Sequence, residues 1–243
     1  MSTRHGITAR VKADGLIAIV RGDFAVERTL AIADTVRDAG VSILEVTLNT
    51  TGALEAIAAL RLRQGERMLI GAGTVRGLAQ WRAAVEAGAQ FSVAPSFHPE
   101  VVAAALAADF LHLPGVFTPT EVERAVGAGC RVVKLFPVDA LGPAYLKALR
   151  APLDDVDFVP TGGIGVDNIA SYRKAGAVAV GIGGSLVAGP SQSLDDLAAR
   201  ARALRAPREE RPWPDTPGCD RRGEVMLRYS VPAGERLGEA ARM

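Results

Sequence analysis

The chain contains the stretch Ser42-Ile43-Leu44-Glu45-Val46-Thr47-Leu48, whose apolar and β-branched residues predict a buried strand. A short turn follows, and the alanine- and leucine-rich residues 52–62 predict a helix. The same order of apolar run, turn and helical stretch repeats from residue 15 to about residue 205. Such regular alternation indicates an α/β protein with a parallel sheet.

The repeat supplies eight predicted strands. They are residues 16–20, 42–48, 68–71, 91–94, 110–113, 131–136, 157–160 and 178–182. Eight strand–helix units in about 190 residues favour a single, closed (β/α)8 TIM barrel. An open, doubly wound sheet is the alternative, but the sequence shows no widely spaced switch point between its halves.

Two regions differ in composition. Residues 1–205 form the predicted barrel domain, and residues 206–243 form a predicted irregular C-terminal extension that holds five of the 14 prolines. Within the extension, residues 224–231 are a possible edge strand.

Composition excludes several classes of protein. The chain is 49% hydrophobic, which suffices for a sizeable core, and its formal net charge of +1 argues against a nucleic-acid partner. No apolar run approaches the roughly 20 residues of a membrane span, and residues 1–15 lack the apolar segment of a secretory signal. We therefore expect a cytoplasmic protein with neither a nucleic-acid nor a membrane partner.

Alternation along two strands places two ionisable side chains in the barrel interior. The apolar neighbours of Glu45 share the helix-facing side of residues 42–48, so Glu45 faces inward, and the same alternation in residues 131–136 directs Lys134 inward. A buried lysine has a lowered pKa, and its neutral amine can attack a ketone to form a Schiff base while a carboxylate moves protons. A structural ion pair is the alternative.

Two glycine clusters end consecutive strands. Thr161-Gly162-Gly163 follows the seventh predicted strand, and Gly183-Gly184-Ser185 follows the eighth. Backbone N–H groups at this end of a barrel commonly bind phosphate, although glycines also make ordinary turns.

Two further candidates lie at strand ends. Arg21 follows the first strand, where a guanidinium can bind a carboxylate in bidentate fashion, although it can equally be an ordinary surface residue. The turn Gly71-Ala72-Gly73-Thr74 presents Thr74 to the barrel mouth. The two cysteines and three histidines lack metal-ligand spacing, so we expect no metal and no cofactor, and a carboxylate-bound Mg²⁺ is the alternative.

The ordered motifs in residues 16–22, 45–50, 71–75, 133–137 and 160–164 together resemble the class I 2-keto-3-deoxy-6-phosphogluconate and 6-phosphogalactonate aldolase family. The resemblance covers about residues 15–205 and spans five strands. It implies a TIM barrel, a homotrimer and cleavage of a phosphorylated keto-sugar acid to pyruvate and D-glyceraldehyde 3-phosphate.

The resemblance also implies roles for individual residues. Lys134 matches the Schiff-base lysine, Glu45 the proton-transferring glutamate and Thr74 the residue that orients this glutamate. Gly162, Gly163, Gly184 and Ser185 match the phosphate-binding residues.

The sequence gives mixed indications about the epimer at C4. Asn49 together with Arg21 resembles the phosphogalactonate branch, whereas Thr161 resembles the phosphogluconate branch. We therefore expect cleavage of both epimers with a modest preference for the galactonate form. Two other functions stay open: a 4-hydroxy-2-oxoglutarate aldolase or oxaloacetate decarboxylase, and a non-catalytic phosphosugar-binding barrel.

Overall fold

Parallel strands alternate with helices along residues 3–209, the part of the chain that the computed structural model describes. The strands are β1 Leu16–Val20, β2 Ile43–Thr47, β3 Leu69–Gly73, β4 Phe91–Val93, β5 Leu111–Leu113, β6 Gly115–Val116, β7 Val132–Leu135, β8 Asp157–Pro160 and β9 Val180–Ile182. The helices are α1 Arg4–Asp14, α2 Val26–Asp38, α3 Ala53–Gln64, α4 Leu78–Glu86, α5 Pro99–Ala107, α6 Pro119–Gly127, α7 Gly142–Arg150, α8 Ile169–Lys174 and α9 Leu194–Glu209.

The strands form two parallel sheets. The larger sheet has the order β5-β4-β3-β2-β1-β9, and the smaller has the order β6-β7-β8. Every predicted strand is present with ends shifted by at most two residues, and β1 and β8 match their predictions at both ends. The α/β class with parallel strands is therefore confirmed.

The sequence pattern does not predict the strand β6, because a proline directly precedes it. Proline has no N–H to donate to a ladder, so Pro114 ends the apolar run at residue 113 in any pattern-based prediction. The carbonyl of Pro114 nevertheless accepts a hydrogen bond from Lys134 N at 2.9 Å, and pairing with β7 continues beyond it.

The strands bury different side chains on their two faces. One face carries the main cluster of buried residues, which packs against the helices and includes Leu44, Val46 and Leu135. The other face carries a smaller cluster that includes Ile43 and Val132. The alternation that predicted an inward face and a helix-facing face is thus present in the structure.

The sequence pattern does not predict the helix α1 either. It begins after Thr3, whose hydroxyl accepts from Gly6 N at 3.2 Å, and it ends at Gly15, whose φ of 73° is left-handed. Its side chains Ile7 and Val11 join the smaller cluster. Only a few positions in this helix are buried, and the polar residues at the other positions leave no clear amphipathic pattern in the sequence.

Left-handed glycines follow the ends of four helices. Gly40, Gly88, Gly129 and Gly176 all have φ between 91° and 96°, a range that side chains strongly disfavour.

The predicted domain boundary lies inside the last helix, because α9 extends to Glu209. The remainder of the predicted extension, including the possible strand at 224–231, lies outside the described residues. None of the helices in residues 3–209 combines the length and the apolar character needed to cross a membrane.

Candidate active site

Two opposite charges are buried on the inward face of the strands. Glu45 in the middle of β2 is 1% exposed, and Lys134 in β7 is 2% exposed. Their strand neighbours two residues earlier, Ile43 and Val132, belong to the smaller cluster, which fixes the direction of both side chains. The structure therefore brings together the two residues for which the sequence predicts imine formation and proton transfer.

Burial changes the protonation of both groups. Desolvation lowers the pKa of Lys134, the Glu45 carboxylate partly raises it again, and the Arg21 guanidinium lowers it further. Desolvation raises the pKa of Glu45, whereas the positive charges of Lys134 and Arg21 lower it. Lys134 is thus closer than an ordinary lysine to supplying a neutral, nucleophilic amine.

An aromatic ring also contacts the lysine. The Lys134 Nζ lies 4.7 Å from the centroid of the Phe136 ring, within the range of a cation–π interaction. Phe136 was not among the predicted site residues. Its position two residues after Lys134, on the same side of an extended chain, is the sequence signal that could have found it.

The strand β3 provides the space for the Glu45 side chain. A Cβ atom on Gly73 would overlap the Glu45 carboxylate, and a Cβ on Gly71 would overlap the Phe91 ring. The Glu45 Oε1 is buried and has no hydrogen-bond partner among the described residues. The carboxylate oxygen is therefore available to a proton from a bound molecule.

Thr74 follows directly after Gly73 in a strained conformation. Its φ is 57°, which is rare for a β-branched residue. Strain of this kind costs about 1–3 kcal/mol and clusters at functional sites. The structure places Thr74 beside the Glu45 strand, at the end of β3 where the sequence predicts it.

Arg21 is exposed and comes directly after β1. Its charge acts on both Glu45 and Lys134. The preceding carbonyl, that of Val20, accepts from the Thr50 hydroxyl at 3.4 Å. The Thr50 hydroxyl in turn lies 3.0 Å from the hydroxyl of Thr47 at the end of β2, so a buried hydroxyl pair, missed from sequence, ties the ends of β1 and β2 together.

The glycine-rich loops lie at the same end of the neighbouring strands. Gly162 and Gly163 have φ of 114° and 61°, and Thr161 is 6% exposed against Gly181. The Ser185 hydroxyl donates to the carbonyl of Ile164 and so joins the loop after β9 to the loop after β8.

Asn168 also organises the loop after β8. Its amide nitrogen donates to Gly163 O at 2.8 Å, and its amide oxygen accepts from Gly165 N at 2.9 Å. Within residues 3–209, the backbone N–H groups of Gly163, Gly184 and Ser185 have no acceptor. Three donors at one end of the strands suit an anionic ligand.

His112 and Cys130 are buried in surroundings that disfavour their charged forms. His112 Nδ1 lies 2.8 Å from the Ser92 hydroxyl, and burial lowers the pKa of His112 to about 4. Burial raises the pKa of the Cys130 thiol to about 11, which disfavours the thiolate. Among the described residues, no group of three or more His, Cys, Asp and Glu side chains could hold a metal ion.

Known proteins resemble this chain over most of its described length. Residues 7–201 match the family model described as "Aldolase: KDPG and KHG aldolase". The chain is 43% identical over 170 residues, 70% of its length and 80% of the relative's, to "2-dehydro-3-deoxy-phosphogluconate aldolase" of Treponema pallidum. It is 37% identical over 190 residues, 78% of its length and 92% of the relative's, to "2-dehydro-3-deoxy-6-phosphogalactonate aldolase" of Escherichia coli.

A solved structure described as "Native KDPGal structure" is also similar. It superimposes with a TM-score of 0.76 at 36% identity, and the match covers 80% of this chain and 94% of that one. The family model and these relatives identify a class I aldolase, a class whose chemistry suits the parallel α/β fold and the buried lysine–carboxylate pair. Within that class, the chain belongs to the KDPG and KHG aldolase family.

The contact between Gly73 and Glu45 leads to a first prediction. In Gly73→Ala, the new methyl group displaces the Glu45 carboxylate, so we expect the kcat/KM for aldol cleavage to fall by about 100-fold or more, as for a misplacement of roughly 1 Å. Steady-state kinetics measure the loss.

Gly71→Ala is the matched control, because the same methyl group on the same strand meets the Phe91 ring instead. Overpacking of this kind costs about 1–3 kcal/mol of folding free energy, which urea unfolding measures, but leaves Glu45 in place. Equal losses of kcat/KM in the two variants would show that Gly73 has no specific link to Glu45.

Proposed function

We propose that the protein is a Schiff-base aldolase that cleaves 2-dehydro-3-deoxy-6-phosphogalactonate and 2-dehydro-3-deoxy-6-phosphogluconate to pyruvate and D-glyceraldehyde 3-phosphate. The observation that carries the proposal is the buried pair of Lys134 and Glu45, in which the amine pKa is lowered next to an unpartnered carboxylate oxygen. The proteins compared above support the substrate class, since the Treponema pallidum relative is named for the phosphogluconate epimer and the Escherichia coli relative for the phosphogalactonate epimer.

The chemistry begins at the ketone. The neutral amine of Lys134 attacks C2 of the substrate, and loss of water gives an imine that becomes cationic on protonation. Glu45, directly or through water, accepts the proton of the C4 hydroxyl as the C3–C4 bond breaks. The bonding electrons pass to the iminium nitrogen, which yields an enamine of pyruvate and releases D-glyceraldehyde 3-phosphate.

The second half of the reaction restores the enzyme. Protonation of the enamine at C3 by Glu45 gives the pyruvate imine, and water then hydrolyses it to pyruvate and free Lys134. Thr74 orients Glu45 in this scheme. Because the imine accepts the electrons, no step requires a metal or a cofactor.

The two charged ends of the substrate require different residues. We assign its carboxylate to Arg21, whose guanidinium can form two parallel hydrogen bonds. We assign its phosphate to Gly162, Gly163, Gly184 and Ser185, because the unpaired backbone donors of this region suit a dianion.

We also infer that the two sheets form a single closed TIM barrel in which β5 and β6 act as one strand. The hydrogen bond from Lys134 N to Pro114 O supports closure at one junction. The bridge between Thr161 and Gly181 and the hydrogen bond from Val178 N to Phe158 O, 3.1 Å long, support closure at the other.

The family resemblance supports a cytoplasmic homotrimer. The near-neutral net charge of +1 supports a small-molecule substrate rather than a nucleic acid or an anionic membrane as the partner. Sedimentation equilibrium tests the trimer.

Borohydride reduction in the presence of pyruvate tests the mechanism. We expect a stable adduct on Lys134, located by mass spectrometry of peptides, and no adduct in Lys134→Met. Lys147→Met is the control, because Lys147 is exposed on α7 and takes no part in the proposed site. Cleavage activity without an adduct on Lys134 would exclude the Schiff-base mechanism.

The pH dependence of this trapping gives a third prediction. The free amine is the reactive form, so the trapping rate rises as the pH passes the pKa of Lys134. Because the Glu45 carboxylate raises this pKa, Glu45→Gln shifts the profile to lower pH. Because Arg21 lowers the same pKa, Arg21→Gln shifts the profile to higher pH.

Arg124→Gln, on α6, is the control for the charge change and leaves the profile in place. Shifts of the same sign in Glu45→Gln and Arg21→Gln contradict the electrostatic assignment.

Thr161 gives a fourth prediction, which concerns the epimer. Its buried hydroxyl can pair with a substrate hydroxyl where an apolar side chain of the same shape cannot. The wild-type protein cleaves both epimers with a modest preference for the galactonate form. Thr161→Val shifts the ratio of kcat/KM further toward galactonate, by about three- to tenfold, as expected for one hydrogen bond.

A coupled assay of pyruvate release measures both epimers. Thr29→Val is the control, because the Thr29 hydroxyl bonds to the carbonyl of Ala25, the N-cap of α2, rather than to a predicted site residue. An unchanged ratio in Thr161→Val would remove Thr161 from the explanation of epimer preference.

A further inference from the structure

The loop that leaves the Lys134 strand touches the glycine-rich loop after β8. Val138, four residues after Lys134, is fully buried, and its N–H donates to the carbonyl of Thr161 at 3.2 Å. The carbonyl of Val138 accepts from the hydroxyl of Tyr172 at 3.2 Å, and also from the backbone N–H groups of Gly142 at 2.9 Å and Leu141 at 3.3 Å in its own segment. One peptide segment is therefore held on both sides, by the glycine-rich loop and by α8.

The packing between the two loops is close. A Cβ on Gly163 would lie 2.7 Å from the Cβ of Asp139, and a Cβ on Gly162 would lie 3.2 Å from the backbone nitrogen of Val138. Because these atoms are backbone or the first atoms of side chains, neither loop can move toward the other without a steric clash. The spacing between them depends on what anchors Val138.

Tyr172 is the side chain that ties this carbonyl to α8, whereas Leu141 and Gly142 bond to it from within the same loop. It is 1% exposed, and it is among the largest fully buried side chains in the described part of the chain. Burial and the nearby Asp139 charge raise the pKa of the Tyr172 hydroxyl, so it keeps its proton and remains a donor at neutral pH.

We propose that Tyr172 is a positioning residue that, through Val138, sets the distance between Lys134 and the phosphate-binding loop. This role presupposes the aldolase reaction proposed above. The phosphate-binding loop holds one end of the substrate while its ketone reaches Lys134. A change in the distance between them therefore weakens binding of the phosphorylated substrate. Tyr172 is buried, and it acts through its hydrogen bond to Val138.

Tyr172→Phe removes the hydroxyl and keeps the ring. We expect the KM for the phosphorylated substrates to rise about five- to tenfold, as for the loss of one buried hydrogen bond, with kcat changed less than twofold. The exchange of the pyruvate methyl protons with deuterium, which needs Lys134 and Glu45 but no phosphate, stays within twofold of the wild-type rate. Rates of cleavage and of exchange are measured on the same preparations.

Tyr145→Phe is the matched control. The Tyr145 hydroxyl also donates to a backbone carbonyl, that of Phe117, but it lies on α7 and not on the segment that contacts the glycine-rich loop. We expect its KM to match that of the wild-type protein, and thermal unfolding of both variants reports any general loss of stability.

The outcomes separate this role from the proposed function. A wild-type protein that cleaves both phosphorylated substrates, combined with an unchanged KM in Tyr172→Phe, overturns the role of Tyr172 alone. Equal losses of cleavage and of pyruvate exchange also overturn it, because they indicate a general structural effect. A wild-type protein that exchanges pyruvate protons but cleaves neither phosphorylated substrate overturns the proposed function together with this role.

Discussion

The burial of the Lys134 amine beside the Glu45 carboxylate is the constraint on which the rest of the structure depends. Removing two charges from water costs several kcal/mol for each ion, and their mutual attraction offsets only part of this cost. The Phe136 ring near the amine adds a favourable contact for the protonated form. The remaining desolvation lowers the pKa of the lysine and so increases the fraction of neutral amine at a given pH.

The strand next to Glu45 shows how the fold makes room for this pair. Gly71 and Gly73 in β3 face the Phe91 ring and the Glu45 side chain, and a larger residue at either position would collide with them. Glycine weakens an isolated strand, but β3 pairs with β2 along five residues and with β4 on its other side, so its neighbours hold it in register. The left-handed Thr74 that follows is held by the same surroundings.

Strand alternation and residue chemistry were enough to predict the parallel strands and the inward direction of Lys134 and Glu45. The family resemblance added the expected role of each. The sequence pattern did not predict two elements. The helix α1 is polar except at the few positions that pack on the strands, and β6 comes directly after a proline, which normally ends a strand. The sequence pattern also could not identify Tyr172, because a tyrosine in a helix is normally predicted to be a core residue. Only the structure shows that its hydroxyl bonds to a loop 34 residues earlier in the chain.

The site thus divides into two parts with different tolerance to change. The strands fix the amine and the carboxylate through ladders of backbone hydrogen bonds, which depend little on any one side chain. The loops that would meet the phosphate and the C4 hydroxyl depend instead on a few side chains that bond to backbone groups, namely Asn168, Ser185 and Tyr172. Each of these bonds is worth only about 1 kcal/mol, so single substitutions can change substrate preference while the lysine chemistry persists. A scaffold of this kind can diverge among phosphorylated and unphosphorylated keto acids without rebuilding its reactive centre.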